Sequence, residues 1–139
     1  AARAAAMMCA MQIHTKTDIL CYYDARVGAS VYGGMFHPIS LEPLPLYYSF
    51  AAFGELYRLG EQAYAEYEKA DGVYALAAKS NDKRAVLFAN ESENDVAVET
   101  NLAPSMTAYA IDGEKKLDLA LLNPKKFTLK AGTVVLLKN

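Results

Sequence analysis

The stretch TAYAIDGEKKLDLAL, residues 107–121, decides how the second part of this chain folds. At its centre Asp112-Gly113 forms a turn pair with an extended run on each side, Thr107–Ile111 and Lys116–Leu121. Asp-Gly between such runs is a strong β-hairpin signal, because both residues tolerate the left-handed backbone of a tight turn. The sequence therefore predicts two antiparallel strands here.

Similar short runs, separated by turn residues, surround this hairpin. We predict further strands at 73–78, 85–89, 96–102, 126–129 and 133–137, with turns at 80–82 and 90–94. The composition of Glu61–Ala70 permits a helix, but its alternation of small or aromatic residues with polar ones favours a strand. Five or more short strands at this spacing predict an antiparallel β-sandwich.

Towards the N-terminus the hydrophobic pattern becomes that of helices. Ala1–Ile13 is rich in Ala and Met and has only Arg3 and Gln12 as polar residues, so we predict a helix that is buried on most faces. A second helix is predicted at Pro45–Leu59, because proline suits the first helical position and Gly60 suits the position after the end.

Between the predicted helices we predict a buried strand followed by a long loop. Ile19–Tyr23 is a continuous apolar run of strand length, typical of a strand covered on both faces in a parallel sheet. Asp24–Leu44 is rich in Gly, Ser and Pro, and a loop of this length is usually functional.

Charge is distributed unevenly along the 139 residues. Residues 1–60 carry eight charged side chains, and residues 61–139 carry the other 22. A region with so few charged groups has too little polar surface to face water alone, so we predict that residues 1–60 form the interior of something larger. The net charge of -2 excludes a basic nucleic-acid footprint and a polybasic membrane anchor.

Both cysteines, Cys9 and Cys21, lie in apolar sequence, which favours buried free thiols over a disulfide. Free thiols are typical of the cytoplasm. Together with His14 and His37 the cysteines do not have the spacing of a metal site. We therefore expect neither a metal nor another cofactor.

The candidate binding residues follow the predicted buried strand. Tyr22 and Tyr23 end it, and Asp24 and Arg26 come directly after. Phenol rings stack on the apolar faces of sugars, while a carboxylate and a guanidinium bind the hydroxyls, so Tyr23, Asp24 and Arg26 are the candidate sugar-binding residues. The alternative is an Asp24–Arg26 ion pair that only holds the loop in place.

No set of residues with a catalytic pattern stands out. Ser30 and His37 share the loop with Asp24, but no G-x-S-x-G surrounds the serine, as a nucleophile elbow requires. Hydrolysis of a glycosidic bond normally needs two facing carboxylates, and Asp24 is the only acid at the end of the predicted buried strand. We therefore assign no catalytic residue to this chain.

The order of these segments resembles the C-terminal end of certain bacterial glycoside hydrolases. The resemblance is carried by AAAMMCAMQ (4–12), DILCYYDAR (18–26), PLPLYYSFAAFGELYRLG (43–60) and KKFTLKAGTVVLLKN (125–139). It is with the clan that has (β/α)8 barrels, close to glycoside hydrolase family 39.

This resemblance implies an α+β chain in two parts. Residues 1–60 would be a helix–strand–helix remnant of a (β/α)8 barrel, and residues 61–139 an accessory antiparallel β-sandwich. The two catalytic glutamates of such a retaining enzyme end the fourth and seventh barrel strands, and both strands would precede residue 1. Tyr23, Asp24 and Arg26 could then only contact the carbohydrate substrate of the parent enzyme.

The resemblance also implies a partner, namely the missing barrel segments. Two alternatives to an enzyme fragment stay open at this point. In the first alternative the chain is an autonomous carbohydrate-binding module. In the second it is a structural domain that self-associates through Ala1–Ile13.

Overall fold

The structure is a computed structural model that describes residues 1–23, 25, 34–68 and 70–139. Within these ranges the chain forms two helices, α1 (Ala2–His14) and α2 (Pro45–Tyr57). The strands are β1 (Glu61–Ala63), β2 (Val73–Ser80), β3 (Lys83–Asn90), β4 (Val96–Glu99), β5 (Thr107–Ile111), β6 (Lys116–Leu119), β7 (Lys126–Leu129) and β8 (Val134–Lys138). The predicted α+β class is confirmed, and both predicted helices are present.

The strands of the described residues form two antiparallel sheets. Six of them lie in the order β1-β2-β3-β8-β5-β6, whereas β4 and β7 form a separate pair that we call the ribbon. β2 and β3 join in a tight hairpin, in which Asn81 takes a left-handed φ of 51° that asparagine tolerates. In the predicted hairpin of β5 and β6, Asp112 Oδ1 accepts hydrogen bonds from the N–H groups of Glu114 and Lys115.

The two helices cover one face of the six-stranded sheet. They pack against β2 and β3, and alternate residues of the strands point into this helix-side core. Leu76, Leu87 and Leu136 belong to it, together with small helical residues such as Ala5 and Ala52. These small side chains let the helix backbones approach the sheet closely.

The ribbon covers part of the opposite face and completes the predicted sandwich. Phe127 of β7 packs edge to face on Phe88 of β3, with ring centroids 5.5 Å apart, in a ribbon-side core that also contains Leu137. Because both faces of β3 are covered, this strand is buried continuously over 85–90 and its sequence shows no polar alternation.

Two fully buried polar side chains hold neighbouring elements together. Ser49 Oγ of α2 donates a hydrogen bond to the carbonyl oxygen of Ala1 at 3.1 Å, which joins the two helices. Asn90 Nδ2 donates to the carbonyl oxygens of Asn94 at 2.8 Å and Leu129 at 3.1 Å, while its Oδ1 accepts from the backbone N–H and the Oγ of Ser92. Both buried side chains therefore have hydrogen-bond partners, as stability requires.

The predicted strand Ile19–Tyr23 is wrong. These residues lie outside regular secondary structure, and Ile19 is 77% exposed. A strand buried in a parallel sheet needs neighbouring strands to bond its N–H and C=O groups, and no strand of the described residues lies beside this segment.

Two smaller predictions also need correction. Of the segment Glu61–Ala70, only β1 pairs as a strand. Cys9 is buried as predicted, but Cys21 is exposed because it lies on the uncovered segment Ile19–Tyr23; both thiols are free.

Candidate functional site

The predicted sugar-binding residues are described only in part. Tyr23 is 67% exposed on the segment after α1, whereas Asp24 and Arg26 lie outside the described residues. The neighbouring Tyr22 is half-buried, and its ring meets Phe50 of α2 edge to face, with centroids 5.5 Å apart. Of the two tyrosines, Tyr22 therefore packs against a helix while Tyr23 presents its ring at the surface.

Five aromatic residues lie on this segment, on the loop before α2 and on the first turns of α2, and their rings make two sets of contacts. The aromatic patch, as we call it, consists of Tyr22, Phe36, Tyr47, Tyr48 and Phe50. Phe36 is fixed by a β-bridge to Pro43, and its ring centroid lies 5.5 Å from that of Tyr47. The patch combines apolar ring faces with hydroxyl groups, a combination that suits packing against protein or sugar surfaces.

His37 orders the loop that leads into α2. Its Nδ1 accepts a hydrogen bond from the N–H of Ser40 at 3.1 Å, and its own backbone N–H donates to the carbonyl oxygen of Glu42 at 2.8 Å. The imidazole thus closes a turn, which is a structural role. Ser30, its partner in the rejected catalytic triad, lies outside the described residues.

A groove of about 560 Å³ opens where both helices end and β1 begins. Its polar lining comes from three places: Gln12 near the end of α1, Thr17 and Asp18 just after it, and Glu61 and Gln62 on β1. Gly60 takes a left-handed φ of 84° there, which turns the chain sharply from α2 into β1. We call this cleft the helix-end groove.

The helix-end groove carries groups suited to a polyhydroxylated ligand. Tyr57, the last residue of α2, is 81% exposed, so its ring face is free of protein cover. Gln12 Nε2 donates to Gln62 Oε1 at 3.0 Å, which fixes two amides that still have donor and acceptor capacity for hydroxyl groups. Sequence patterns gave no sign of this groove, because its residues come together only when β1 lies beside the helix ends.

Glu55 forms a bridge between the helix layer and the sheet. The Lys138 ammonium donates to Glu55 Oε2 at 2.6 Å and lies 5.0 Å above the ring of Tyr109, and Arg58 contacts the other carboxylate oxygen. The hydrogen bond from Lys138 is the main cause that lowers the pKa of Glu55 below its ordinary value, with Arg58 adding to it. A carboxylate held ionised in this way serves as an anchor and not as a proton donor.

The other shifted groups of the described residues have structural roles as well. The hydrogen bond from Lys126 lowers the pKa of Glu99, and backbone hydrogen bonds from Lys115 and Glu114 lower the pKa of Asp112. Burial raises the pKa of the Cys9 thiol to about 12, so this sulfur is neither a nucleophile nor a ligand at neutral pH. The general acid of a glycoside hydrolase needs a raised carboxyl pKa, which is the opposite of the shifts at Glu55, Glu99 and Asp112.

Neither a metal site nor a membrane-spanning helix is found among the described residues. No group of three or more His, Cys, Asp or Glu side chains in those ranges is arranged to hold a metal ion. None of the helices found there has the length and apolar character needed to cross a membrane.

The chain is similar in fold to part of several solved enzymes. The family 30 subfamily 8 xylanase from Clostridium acetobutylicum superposes with a TM-score of 0.76 at 15% identity, over 99% of this chain and 38% of that one. A glucosidase from Croceicoccus marinus gives 0.71 at 14% identity, over 99% and 41%. A family 30 endoxylanase from Clostridium papyrosolvens C71 gives 0.59 at 18% identity, over 75% and 30%.

These similarities concern the fold, because the sequence identities are low. The chain spans about two fifths of the length of the Clostridium acetobutylicum xylanase and of the Croceicoccus marinus glucosidase. No protein-family model matches the sequence, and no curated protein matches it significantly.

Proposed function

We propose that this chain is the C-terminal part of a retaining glycoside hydrolase, whose catalytic carboxylates lie in polypeptide outside it. The observation that carries the proposal is the superposition of 99% of the chain on about two fifths of a xylanase and of a glucosidase. Because that match includes the helices as well as the sheets, an isolated β-sandwich would not account for it. Family 39, which the sequence motifs favour, stays a prediction within this proposal.

In this proposal the two parts of the chain have different tasks. Residues 1–60 provide the last elements of a (β/α)8 barrel, and residues 61–139 form the accessory sandwich that stabilises them. Tyr23, Asp24 and Arg26 contact the carbohydrate substrate of the parent enzyme, and no residue of this chain is catalytic. The exposed ring of Tyr23 supports a contact role, because a sugar can stack on an exposed phenol.

The remaining barrel segments are the proposed partner, and the aromatic patch is the surface that would receive them. The neighbouring stretches of chain also carry exposed apolar side chains, among them Ile19, Leu20 and Leu41. Exposed apolar side chains that lie close together in a fold often mark an interaction site. The alternative is self-association through α1. Sedimentation of the chain with and without residues 1–17 distinguishes the two hypotheses. If both proteins are monomers, self-association through α1 is excluded.

Assays of the chain with and without its upstream polypeptide test the proposed function. The reading frame that precedes residue 1 is expressed together with this chain, and both proteins are assayed on xylan and on aryl glucosides. We expect hydrolysis by the longer protein and none by the 139-residue chain. Hydrolysis by the short chain, or an upstream frame without strand–helix repeats, would contradict the proposal.

The same longer protein tests the proposed substrate contacts. Tyr23→Ala and Arg26→Ala should each raise KM about tenfold with little change in kcat, because they remove binding that is equal in the ground and transition states. Lys116→Ala, at an exposed position on β6, is the matched control and should leave both constants unchanged. An unchanged KM in both variants would remove these residues from the substrate site.

The helix-end groove supports a second candidate function, carbohydrate binding by the chain itself. The specific observation is the exposed ring of Tyr57 beside the hydrogen-bonded amides of Gln12 and Gln62. Calorimetric titration with xylo-oligosaccharides and cello-oligosaccharides should then detect affinity that Tyr57→Ala abolishes. Tyr64→Ala removes a ring that is 90% exposed but lies outside this groove, so it should leave the affinity unchanged.

A further inference from the structure

The ribbon leaves an open groove on its side of the six-stranded sheet. Two adjoining compartments, of about 560 and 670 Å³, run between β4 and residues 64–68 and 70. Their floor is formed by Ala75, Ala77, Val86 and Phe88 of β2 and β3. Ala75, Val86 and Phe88 are each at most 8% exposed, so the groove is shallow, and Ala77 is the half-buried member of its floor. We call it the ribbon groove.

The far wall of the ribbon groove already has the periodicity of a strand. Over residues 63–68, side chains alternate between half-buried and exposed: Ala63, Ala65 and Tyr67 are half-buried, while Tyr64, Glu66 and Glu68 are exposed. An alternation of two residues is the signature of extended chain against a covered face. Beyond Ala63, however, the described residues of this segment do not pair with any strand.

The near wall is an unpaired strand edge. Within the described chain β4 pairs only with β7, and Thr100 N–H donates to the Lys125 carbonyl on that side at 2.9 Å. Successive N–H and C=O groups of a strand point to opposite edges, so those of Val96 and Val98 face β7 while those of Ala97 and Glu99 face the groove. The edge of β4 therefore offers donors and acceptors beside the apolar floor.

The rim of the groove carries negative charge. Glu66 and Glu68 are exposed and line it, and Glu99 lies at the edge of β4. Lys126 is bound to Glu99 at 2.5 Å, whereas Glu66 and Glu68 form no ion pair with another residue that the structure describes. Basic residues on an occupant would complement them and speed its association.

We propose that the ribbon groove binds an extended polypeptide strand in which apolar residues alternate with basic ones. The strand pairs with the open edge of β4 and turns the ribbon into a three-stranded sheet. Its apolar side chains face the floor and contact the half-buried Ala77, and its basic side chains reach Glu66 and Glu68. This is recognition by strand addition, in which the main chain supplies affinity and alternate side chains supply specificity.

Fluorescence anisotropy with a labelled heptapeptide, in which lysine and valine alternate, tests the proposal on the full 139-residue chain. We expect saturable binding. Two control peptides have the same length: one replaces lysine by glutamate, and the other carries N-methyl groups on alternate amides, which remove hydrogen bonds along one strand edge. Each should bind at least about tenfold more weakly, because the first loses charge complementarity and the second loses strand pairing.

Protein variants locate the binding site. Ala97→Pro removes an N–H from the open edge of β4, where a proline is tolerated because that group does not bond to β7. We expect this variant to weaken peptide binding at least about tenfold. The double variant Glu66→Lys with Glu68→Lys should weaken it by a similar factor, and it tests the site independently if Ala97→Pro fails to fold. Glu93→Lys, an exposed charge change outside the groove, is the matched control and should leave the affinity within about twofold.

Several outcomes would overturn the proposal. They are the absence of peptide binding, equal binding of the lysine and glutamate peptides, and unchanged affinity in the Glu66/Glu68 double variant. A dimer in sedimentation equilibrium that Ala97→Pro converts to a monomer would also overturn it, because the occupant of the edge would then be a second copy of this chain. The result does not depend on whether a parent enzyme hydrolyses sugars, so it is distinguishable from a failure of the proposed function.

Discussion

The two faces of the six-stranded sheet are covered in different ways. On one face two helices pack directly on β2 and β3, and buried residues of helices and strands form one cluster. On the other face the ribbon covers part of the sheet, and the ribbon groove stays open beside it. Adjacent residues of the same strands face these two environments, so the molecule allows a direct comparison of a sealed core with a partly open one.

The largest expected difference concerns the two thiols. Cys9 lies in the helix-side core, where burial raises its pKa to about 12, whereas Cys21 lies exposed on the uncovered segment after α1. Modification by a disulfide reagent at pH 8 should therefore proceed at least about a thousandfold faster at Cys21, since Cys9 reacts only when the core opens at a cost of several kcal/mol.

Peptide mapping of the modified thiols over time measures both rates. In urea both thiols should react equally fast. Comparable rates in the native protein would mean that the helices do not seal this face of the sheet.

The cores themselves are compared by truncating two neighbouring leucines of β8. Leu136 belongs to the helix-side core and Leu137 to the ribbon-side core, and both are buried. Each Leu→Ala change should lower the free energy of unfolding within the range of about 2–5 kcal/mol that buried leucines show, with Leu136→Ala near the upper end. Leu137→Ala should cost about 1 kcal/mol less, because its cross-strand neighbour Val86 lines the ribbon groove and that side can relax or admit water.

Urea unfolding of both variants provides the measurement. The two residue types and the strand are the same, so each variant is the other's control. Equal losses would show that the open groove does not soften the ribbon-side core.

Two glycines test how tightly the turn between β3 and β4 packs against the start of β2. Gly72, before β2, has a φ of 72°, and a Cβ placed there would meet the Cβ and backbone N of Ser92 at 3.1 Å. Gly132 has a similar φ of 68° but has no atom within 4 Å of such a Cβ. Gly132→Ala should therefore lose about 1 kcal/mol from the left-handed backbone alone, and Gly72→Ala about 2–3 kcal/mol.

Thermal and urea unfolding measure both losses. If the two variants lose the same stability, then the turn that contains Ser92 moves aside at little cost. That result would mean that the connection from the sheet to the ribbon is loosely packed.

The smallest expected effect is that of the ion pair on the helix side. Glu55→Gln should lower the free energy of unfolding by about 1 kcal/mol at pH 7, because it weakens the contact with Lys138. The folded-state pKa of Glu55 lies below its ordinary value, so the contribution is complete above that value and is lost as the pH falls through the folded-state pKa.

Urea unfolding from pH 7 down to pH 2.5 measures this dependence. The difference between wild type and variant should close as Glu55 becomes protonated in the folded protein. Glu99→Gln on the ribbon is the control, since its pair with Lys126 is fully exposed and should have no measurable effect. A difference that stays constant to pH 2.5 would exclude the charge of Glu55 as its cause.

The elements that sequence reasoning found are those with a local signal. Pro45 and Gly60 mark the ends of α2, and Asp112-Gly113 marks the β5–β6 hairpin, so short stretches of chain contain all the required information. Ile19–Tyr23 failed because an apolar run indicates only that a segment avoids water, whereas pairing as a strand depends on neighbours that the run itself does not encode.

The candidate sites show the same division. Tyr23 was singled out because it adjoins charged residues in the sequence, whereas Gln12, Tyr57 and Gln62 meet only through the packing of α1, α2 and β1. The open edge of β4 could not be predicted from the sequence either. The strand pattern of Glu61–Ala70 is present in the sequence, but the sequence does not show that the described residues beyond Ala63 lack hydrogen-bonded strand neighbours. A residue pattern predicts which side of an element is covered, but not what covers it.

The buried amide of Asn90 has a consequence for how the ribbon finds its place. β4 and β7 are short, and a slip of one residue between them would turn every inward side chain outward. Asn90 forms hydrogen bonds both to the turn before β4 and to the last residue of β7. A shifted alignment would therefore leave the buried amide of Asn90 without a hydrogen-bond partner. One asparagine thereby selects a single alignment of β4 with β7 and disfavours the alignments that are shifted by one residue.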